Sequence, residues 1–450
     1  MKQLLFMIFM TLIGTGGVFF APMCGVVVYY LFAVLRPQYL WQWVLPQDVS
    51  WSMFVAIGTL VGAGLYLMGA SPGAAAVTKR RRTFGAPHMA MLLFGLWIFV
   101  TYMTAQNQEV AWPWLLEYMK IFLMFFVSSL LILTVRHVWI LMITAALALG
   151  YIAYEVNYLY FVNHYMGIYF NGYGGLDNNG AGLMLAMGIP LCLFVYMGTK
   201  RWWRWGFALL IPLILHSVLM TFSRGAMVSL IVASPLMFLR GKHRFQLALA
   251  LTAMISVVPL MAGPDIRARF FTLENYQDEG SAKSRFGSWE AAYRIAKDYP
   301  IFGVGVRNSN LFSMDYGADM EGRTIHSQFL QVLADNGFPG LVFYLATFAC
   351  VIVRLRKVRR WARHRSSDEA RLAYAAACGI ESALAVFCIG AMFLSLEVFE
   401  LPYLLLLIGA QLPLVVQMDT PEAREGTANE PLTGESLAGG PRPAHAVVGL

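Results

Sequence analysis

The stretch from Gly263 to Asn336 reads GPDIRARFFTLENYQDEGSAKSRFGSWEAAYRIAKDYPIFGVGVRNSNLFSMDYGADMEGRTIHSQFLQVLADN. It is the only long polar segment between two apolar blocks of the chain. Its arginines, lysines and single histidine are Arg267, Arg269, Lys283, Arg285, Arg294, Lys297, Arg307, Arg323 and His326. Because the flanking sequence is apolar and typical of a membrane, the side of the membrane on which this segment lies decides its function.

The composition is that of a membrane protein. Of 450 residues, 58% are hydrophobic and only 13% are charged, whereas a soluble domain carries roughly a quarter charged residues. The formal charge of +8 is concentrated in short loops, and no nucleic-acid motif accompanies it. The five cysteines lie in apolar runs without metal-ligand or disulfide spacing. The sequence therefore predicts an all-α polytopic protein that contacts membrane lipids and no nucleic acid.

A membrane-spanning helix needs about 20 predominantly apolar residues. The apolar runs predict spans at 51–69, 87–104, 115–133, 138–156, 180–198, 206–221, 225–239, 246–262, 337–353, 372–393 and 401–417. The first apolar block, 3–35, is too long for one simple crossing, and Gly14, Gly16, Gly17 and Pro22 could divide or bend it.

Loops rich in lysine and arginine stay on the cytoplasmic side of a membrane. The basic loops follow every second predicted span and comprise 79–82, Arg136, Lys200 with Arg201 and Arg204, 240–244, and 354–365. All of them can be cytoplasmic together. About 12 helices result if block 3–35 crosses once, or about 13 with Met1 outside if it crosses twice.

This topology divides the chain into four parts. Residues 1–262 form an N-terminal transmembrane region, 263–336 an external loop that carries the site, and 337–417 the last transmembrane helices. Residues 418–450 have little apolar content and are predicted to be a disordered cytoplasmic tail.

Arg224 lies in the external turn Ser223-Arg224-Gly225 between two spans. An arginine at the edge of the hydrocarbon is costly unless it is paired or reaches the headgroups. Reaching the headgroups is one interpretation. The other is a phosphate site, because guanidinium groups bind phosphate in bidentate fashion and helix N-termini attract anions.

Two helices are predicted inside the polar segment. Ser284 to Tyr299 has an apolar stripe, with Ser284 as its N-cap and Arg285 in its first turn, where a bound anion would explain the cation. A second helix, His326 to Asp335, would place the histidine at a helix N-terminus, where the dipole lowers the pKa of the imidazole. A neutral imidazole can accept a proton, although a lone histidine can also be structural.

Two further patterns bear on function. The tyrosine-rich stretch 151–179 ends in Asp177-Asn178-Asn179, whose amides could hydrogen-bond sugars, although an interfacial aromatic belt also explains the tyrosines. The sequence has no DxD, no HExxH and no external carboxylate cluster with ligand spacing. It therefore predicts no metal site and no cofactor.

The chain resembles the O-antigen ligase and polymerase superfamily of bacterial membrane glycosyltransferases. The matching motifs run in order through the C-terminal two-thirds. They are Asp177-Asn178-Asn179, Ser223-Arg224-Gly225, Ser284-Arg285 with Trp289 and Ala292, Pro300 to Gly305, and His326-Ser327 with Gln331. The His-Ser pair looks closest to the O-glycosylation ligases associated with exosortase systems.

The resemblance implies an all-helical fold of the GT-C type in the inner membrane and a metal-independent active site that faces the periplasm. Arg224 and Arg285 would bind the diphosphate of an undecaprenyl-linked glycan donor, and His326 would be catalytic. Asp177, Asn179, Trp289 and Gln331 are candidate contacts to the glycan or the acceptor, which would be lipid A core or a protein hydroxyl.

Two alternatives remain. A polymerase of the same superfamily would use a second lipid-linked glycan as its acceptor. A transporter or flippase for such glycans should place ionisable residues deep in its spans. Here the spans are nearly free of them, apart from Glu117 and Lys120.

Overall fold

The computed structural model describes residues 1–69, 84–240, 280–320, 322–396 and 398–418, without the side chains of 280–283, 417 and 418. The predicted span 246–262, the basic loops 79–82 and 241–244 and the predicted tail from 419 onward lie outside the described residues. In the described part of the chain the secondary structure is helical, without a β-strand. The predicted all-α polytopic fold is confirmed.

Thirteen long helices are described. They are α1 (Lys2–Gly16), α2 (Met23–Leu35), α3 (Trp51–Leu67), α4 (Ala86–Met103), α5 (Gln108–Leu131), α6 (Val135–Asn163), α7 (Asn178–Gly198), α8 (Arg204–Met220), α9 (Arg224–Arg240), α10 (Gly280–Asp298), α11 (Gln328–Arg363), α12 (Asp368–Gly390) and α13 (Glu400–Met418). Seven described segments are long and apolar enough to cross a membrane, and four shorter helices are also apolar. Most predicted spans agree with these helices to within a few residues.

The first apolar block forms a hairpin of two helices. A Cβ on Gly14 would meet Val28, and one on Gly17 would meet Cys24. The Phe6 ring packs edge-on against Trp41, with 5.8 Å between the ring centroids. The start of α1 contacts a residue that follows α2, and the end of α1 lies beside the start of α2. The two helices are therefore antiparallel. Both ends of the block therefore lie on one face, which is the geometry of two crossings rather than one.

The helix bundle has two chemically different ends. At one end, Asn308 Nδ2 donates to Asn107 O (3.1 Å) and Asn178 Nδ2 donates to Thr221 O (2.9 Å). The described segments that meet there are 36–50, 104–107, 164–177, 221–223, 299–320, 322–327, 391–396 and 398–399. We call this the site end. The loops predicted to be external meet there, as far as the structure describes them.

The opposite end carries the arginines of the loops predicted to be cytoplasmic. Glu381 of α12 is 2% exposed, and its Oε2 lies 3.0 Å from Arg240 Nη2 and 3.2 Å from Arg359 Nη1. Lys200 pairs with Asp368 nearby, at 3.0 Å. We call this the basic end. The separation of the two groups of loops agrees with the alternation of basic loops in the sequence.

Three predicted boundaries in the C-terminal half were wrong. Helix α10 begins at Gly280, so Ser284 lies inside the helix rather than at its N-cap. Helix α11 begins at Gln328, so His326 precedes it. The same helix continues to Arg363, so most of the predicted basic loop 354–365 is helical. Gly337 has non-helical backbone (φ 70°) and kinks α11 where the sequence predicted a stop.

Candidate active site

The turn before α9 places Arg224. Ser223 Oγ accepts from Ala226 N at 3.3 Å, so this serine caps the helix and Arg224 becomes its first residue. Phe222, just before the cap, has a φ of 54°, in the left-handed region that non-glycine residues rarely adopt. Arg224 is half-buried at this helix N-terminus. The structure therefore places Arg224 at a helix N-terminus, where the sequence predicted it.

The start of α7 lies beside this turn. Asp177 Oδ1 accepts from Gly180 N at 2.8 Å and caps α7, while Asn178 binds Thr221 O across the gap. A Cβ on Gly182 would lie 2.6 Å from Thr221 Oγ1, so only glycine permits this approach of the two helices. Asp177 thus has a capping role, which its position in the sequence did not reveal.

A polar cleft of about 410 Å³ opens between these elements. Arg224 reaches it from α9 and Arg285 from α10, and two amides reach it from the first turn of α7. Its lining comprises Tyr169, Phe170, Asn178, Asn179, Phe222, Arg224, Gly225 and Arg285. We call it the arginine cleft. It brings together three of the predicted site residues, Asn179, Arg224 and Arg285, from segments far apart in the sequence.

Helix α10 is anchored by a small apolar core formed by Ala292, Ile295, Val304, Ile325 and Ala334. This core fixes α10 against the segment before α11. Side chains of α10 add two hydrogen bonds to this packing, which were not predicted from the sequence. Ser288 Oγ donates to Ile325 O (3.1 Å), and Trp289 Nε1 donates to His326 O (3.3 Å). Trp289 therefore supports the backbone of the histidine.

His326 is half-buried and has a φ of 56°. Burial lowers the pKa of its imidazole, and the charges of Arg285 and Arg323 lower it further, while Asp177 and Asp319 act in the opposite direction. The direction agrees with the sequence prediction, but burial and the guanidinium groups are the causes rather than a helix dipole. His326 does not line the arginine cleft, but the charge of Arg285, which does line it, helps to lower the pKa of the imidazole.

Gln331 lies behind the histidine and is fully buried. Its Nε2 donates to Ser309 Oγ (2.7 Å) and to Asp335 Oδ2 (2.9 Å), and Ser395 Oγ donates to its Oε1 (3.2 Å). It does not line the arginine cleft. Gln331 therefore stabilises the start of α11 through its hydrogen bonds, and it is not exposed to a ligand in the arginine cleft.

Other residues of the arginine cleft were not singled out from the sequence. Tyr169, Phe170 and Phe222 supply its aromatic side. The tyrosine-rich stretch was a signal for Tyr169, but no pattern marked the two phenylalanines. Among the described residues, no group of three or more histidine, cysteine, aspartate or glutamate side chains could hold a metal ion.

A comparison with protein families matches residues 213–345 to the family described as O-antigen ligase. The matched region contains Arg224, Arg285, Trp289, His326 and Gln331, but not Asp177 or Asn179. The comparison with curated proteins gives no match. The family match does not distinguish the branch associated with exosortases. The helical membrane fold and the O-antigen ligase region at residues 213–345 support the resemblance of this chain to the O-antigen ligase and polymerase superfamily.

Proposed function

We propose that this protein is a glycan ligase of the bacterial inner membrane. It would transfer an oligosaccharide or polysaccharide from undecaprenyl diphosphate to an acceptor hydroxyl at the periplasmic face. The observation that carries this proposal is the arginine cleft, because it joins Arg224, Arg285 and two amides, and the charge of Arg285 also acts on the pKa of His326. The match of residues 213–345 to the O-antigen ligase family supports the class of enzyme.

The donor is bound through its diphosphate. Arg224 and Arg285 offer planar donor groups that match phosphate oxygens, and Asn178 and Asn179 add amide groups at the same cleft. Arginine charge, rather than a metal ion, neutralises the two phosphates in this proposal. The charged oxygens of the leaving group are then held before the glycosyl bond breaks.

The acceptor is activated by His326. Its neutral imidazole takes the proton of the acceptor hydroxyl as the oxygen attacks the anomeric carbon of the donor glycan. The bond from that carbon to the diphosphate breaks, and the lipid diphosphate leaves with the electron pair. The proton passes from the imidazole to solvent, which restores the neutral base for the next cycle.

The arginine roles are tested by alanine substitution in protein reconstituted with lipid-linked glycan and an acceptor. Arg285→Ala and Arg224→Ala should reduce transfer at least about a hundredfold, and lysine should rescue little because it lacks the planar fork. Arg294→Ala is the matched control, because Arg294 is on the same helix but pairs with Glu290 away from the cleft.

The assay is run with and without a chelator, and equal rates are expected. Near-normal transfer by Arg285→Ala, or activity that returns only with added magnesium or manganese, would refute the proposed donor site. Supplying lipid A core, an acceptor protein and a second lipid-linked glycan in separate reactions identifies the acceptor. Transfer only to the second lipid-linked glycan would make the protein a polymerase.

A further inference from the structure

A second cleft of about 390 Å³ lies at the site end, lined by the end of α2, the following segment and the starts of α3 and α13. Its polar and aromatic lining includes Arg36, Gln38, Tyr39, Trp51, Glu117 and Glu400. We call it the carboxylate cleft. None of these residues belongs to the arginine cleft, and none lies in the region of the family match.

The charges of the carboxylate cleft differ from those of the arginine cleft. Two carboxylates, Glu117 and Glu400, face one arginine, Arg36, whose Nη1 already donates to Gly174 O. Glu117 also accepts from Lys120 at 2.6 Å, in a pair that is about half exposed. A diphosphate would meet two negative groups here, so this cleft suits a neutral, hydrogen-bonding ligand.

Glu400 provides a second, independent observation. Its Oε2 is buried, and no donor among the described residues bonds to it. A buried carboxylate oxygen without a donor is costly, so such a group marks a place where a ligand or water supplies the bond. Glu400 lines the cleft, so the cleft is the side from which a ligand would approach this carboxyl group.

We propose that the carboxylate cleft binds a saccharide. Sugar hydroxyls can donate to the unpartnered oxygen of Glu400 and to the carboxyl group of Glu117, which line the same cleft. The exposed ring of Tyr39 (56%) offers an apolar surface for the C–H face of a sugar ring, and the buried Trp51 forms part of the wall. Aromatic surface combined with a few polar groups is the usual composition of a ligand pocket.

Two segments connect this cleft with the proposed reaction site. Residues 172–177 run from the Arg36 contact at Gly174 to Asp177, which caps the helix whose asparagines line the arginine cleft. Residues 391–396 and 398–400 lie between Ala391, whose carbonyl accepts from Gln328 N at 2.8 Å, and Glu400. Both clefts therefore lie at the site end, and a saccharide bound at the same end as the reaction would reduce the entropy cost of bringing the two substrates together.

This inference rests on the proposed function only for the identity of the saccharide, as part of the donor or part of the acceptor. Binding of a saccharide can be measured separately from glycan transfer. The full-length protein is placed in phospholipid nanodiscs free of sugar-based detergent. The probes are core oligosaccharide released from lipopolysaccharide and repeat-unit oligosaccharide released from the lipid-linked donor. Binding of each probe is measured by saturation-transfer NMR and titration calorimetry.

Glu400→Gln and Glu117→Gln should each weaken binding of one probe about tenfold, because each replaces an oxygen that accepts a hydrogen bond by an NH2 group that cannot accept one. Glu117 is partly exposed, so its substitution tests the proposal even if Glu400→Gln folds poorly. Glu109→Gln is the matched control, an exposed carboxylate that lines neither cleft. The probe that is affected identifies the source of the saccharide.

Unchanged binding of both probes in both variants would overturn the inference, even if the enzyme transfers glycans normally. A protein that binds a probe through these carboxylates but transfers no glycan would instead contradict the proposed function. Arg285→Ala separates the two ideas further, because it should block transfer and leave binding of the probes intact.

Discussion

At the scale of single residues, Phe222 and His326 share an unusual backbone. Each has a left-handed φ and directly precedes the serine at the N-cap position of a helix. A non-glycine residue in such a conformation costs about 1–3 kcal/mol and persists only where its surroundings impose it. Both residues lie at the proposed reaction site, one in the lining of the arginine cleft and the other as the proposed base.

The role of His326 gives a prediction about pH. His326→Ala should lower turnover about 10²–10⁴-fold while donor binding survives. In the wild-type protein, burial, Arg285 and Arg323 lower the pKa of His326. Because a base must be neutral, activity should fall only as the pH drops through this lowered pKa, at a pH below about 6.5.

Substitution of two charged residues near His326 should shift the acid limb of the pH–rate profile in opposite directions. Arg323→Gln removes a charge that lowers the pKa of His326, so the acid limb of the pH–rate profile should move to higher pH. Asp319→Asn removes a charge that raises this pKa, so the limb should move to lower pH. Equal profiles for the two variants would show that the limb belongs to another group.

Trp289 gives the next prediction. Trp289→Phe keeps an aromatic ring but removes the N–H that donates to His326 O. One hydrogen bond contributes about 0.5–1.5 kcal/mol, so kcat should fall by up to about tenfold with an unchanged KM for the donor. Trp202→Phe, at an 86% exposed position, is the control. An increase in KM alone would instead favour the glycan contact predicted from the sequence.

The chemistry of the candidate residues could be predicted from the sequence, but their mutual support could not. Arg224 and Arg285 were predicted from their positions near helix N-termini, and His326 because it is the single histidine of the polar segment. The bonds from Ser288 and Trp289 to residues 325 and 326 join positions 37 apart, and no local pattern encodes them. The buried position of Gln331 was hidden for the same reason.

At the scale of elements, the kink in α11 determines where the histidine stands. Gly337 has a φ of 70°, and a Cβ there would lie 2.1 Å from Ile301 O. Phe338 N donates to Pro300 O at 2.9 Å, so the kink binds the turn that follows α10. The first part of α11 and helix α10 are thereby fixed to each other, with His326 between them.

Gly337→Ala should therefore disturb both the fold and the reaction. The added methyl group clashes with backbone, and the backbone at Gly337 (φ 70°, ψ −178°) is one that essentially only glycine adopts, at a cost of about 1–3 kcal/mol for other residues. We expect a lower melting temperature in detergent and a loss of transfer. Gly287→Ala in α10 is the control, since its nearest neighbour would be Gly317 O at an ordinary 3.6 Å. Equal melting temperatures for the two variants would contradict this account of the kink.

Hydropathy located the membrane helices well and their ends poorly. It measures the preference for lipid over water, which falls at the first arginines of 354–365, although arginine, lysine and alanine are good helix formers. Helix α11 therefore continues through a stretch that was predicted to be a loop. Similarly, Ser284 has the chemistry of an N-cap, but the four residues before it are already helical.

At the scale of the whole molecule, the two ends of the bundle predict a labelling pattern. In a cysteine-free background, Asp315→Cys at the site end should react in intact spheroplasts with a membrane-impermeant maleimide. His364→Cys at the basic end should react only after lysis. Both positions are exposed, so access alone decides the result. The reverse pattern would overturn the orientation and the periplasmic reaction.

The topology of the N-terminal block could not be settled from the sequence. Its glycines and Pro22 allow either a bend or a reversal, and the two outcomes differ only in contacts between α1 and α2. The structure shows the reversal, with Gly14 against Val28. In the proposed orientation, Met1 then lies on the same side as the two clefts.

The length of α11 has a consequence for how deeply the protein sits in its bilayer. From Phe338 to Arg363 the helix rises about 39 Å, whereas the acyl-chain region is about 30 Å thick. The excess carries the exposed side chains of Arg356, Arg360 and Arg363 to the level of the anionic headgroups. These arginines would anchor the end of α11 at the level of the headgroups. Through the rigid helix, they set the height of the arginine cleft relative to the plane in which a lipid's own phosphates emerge.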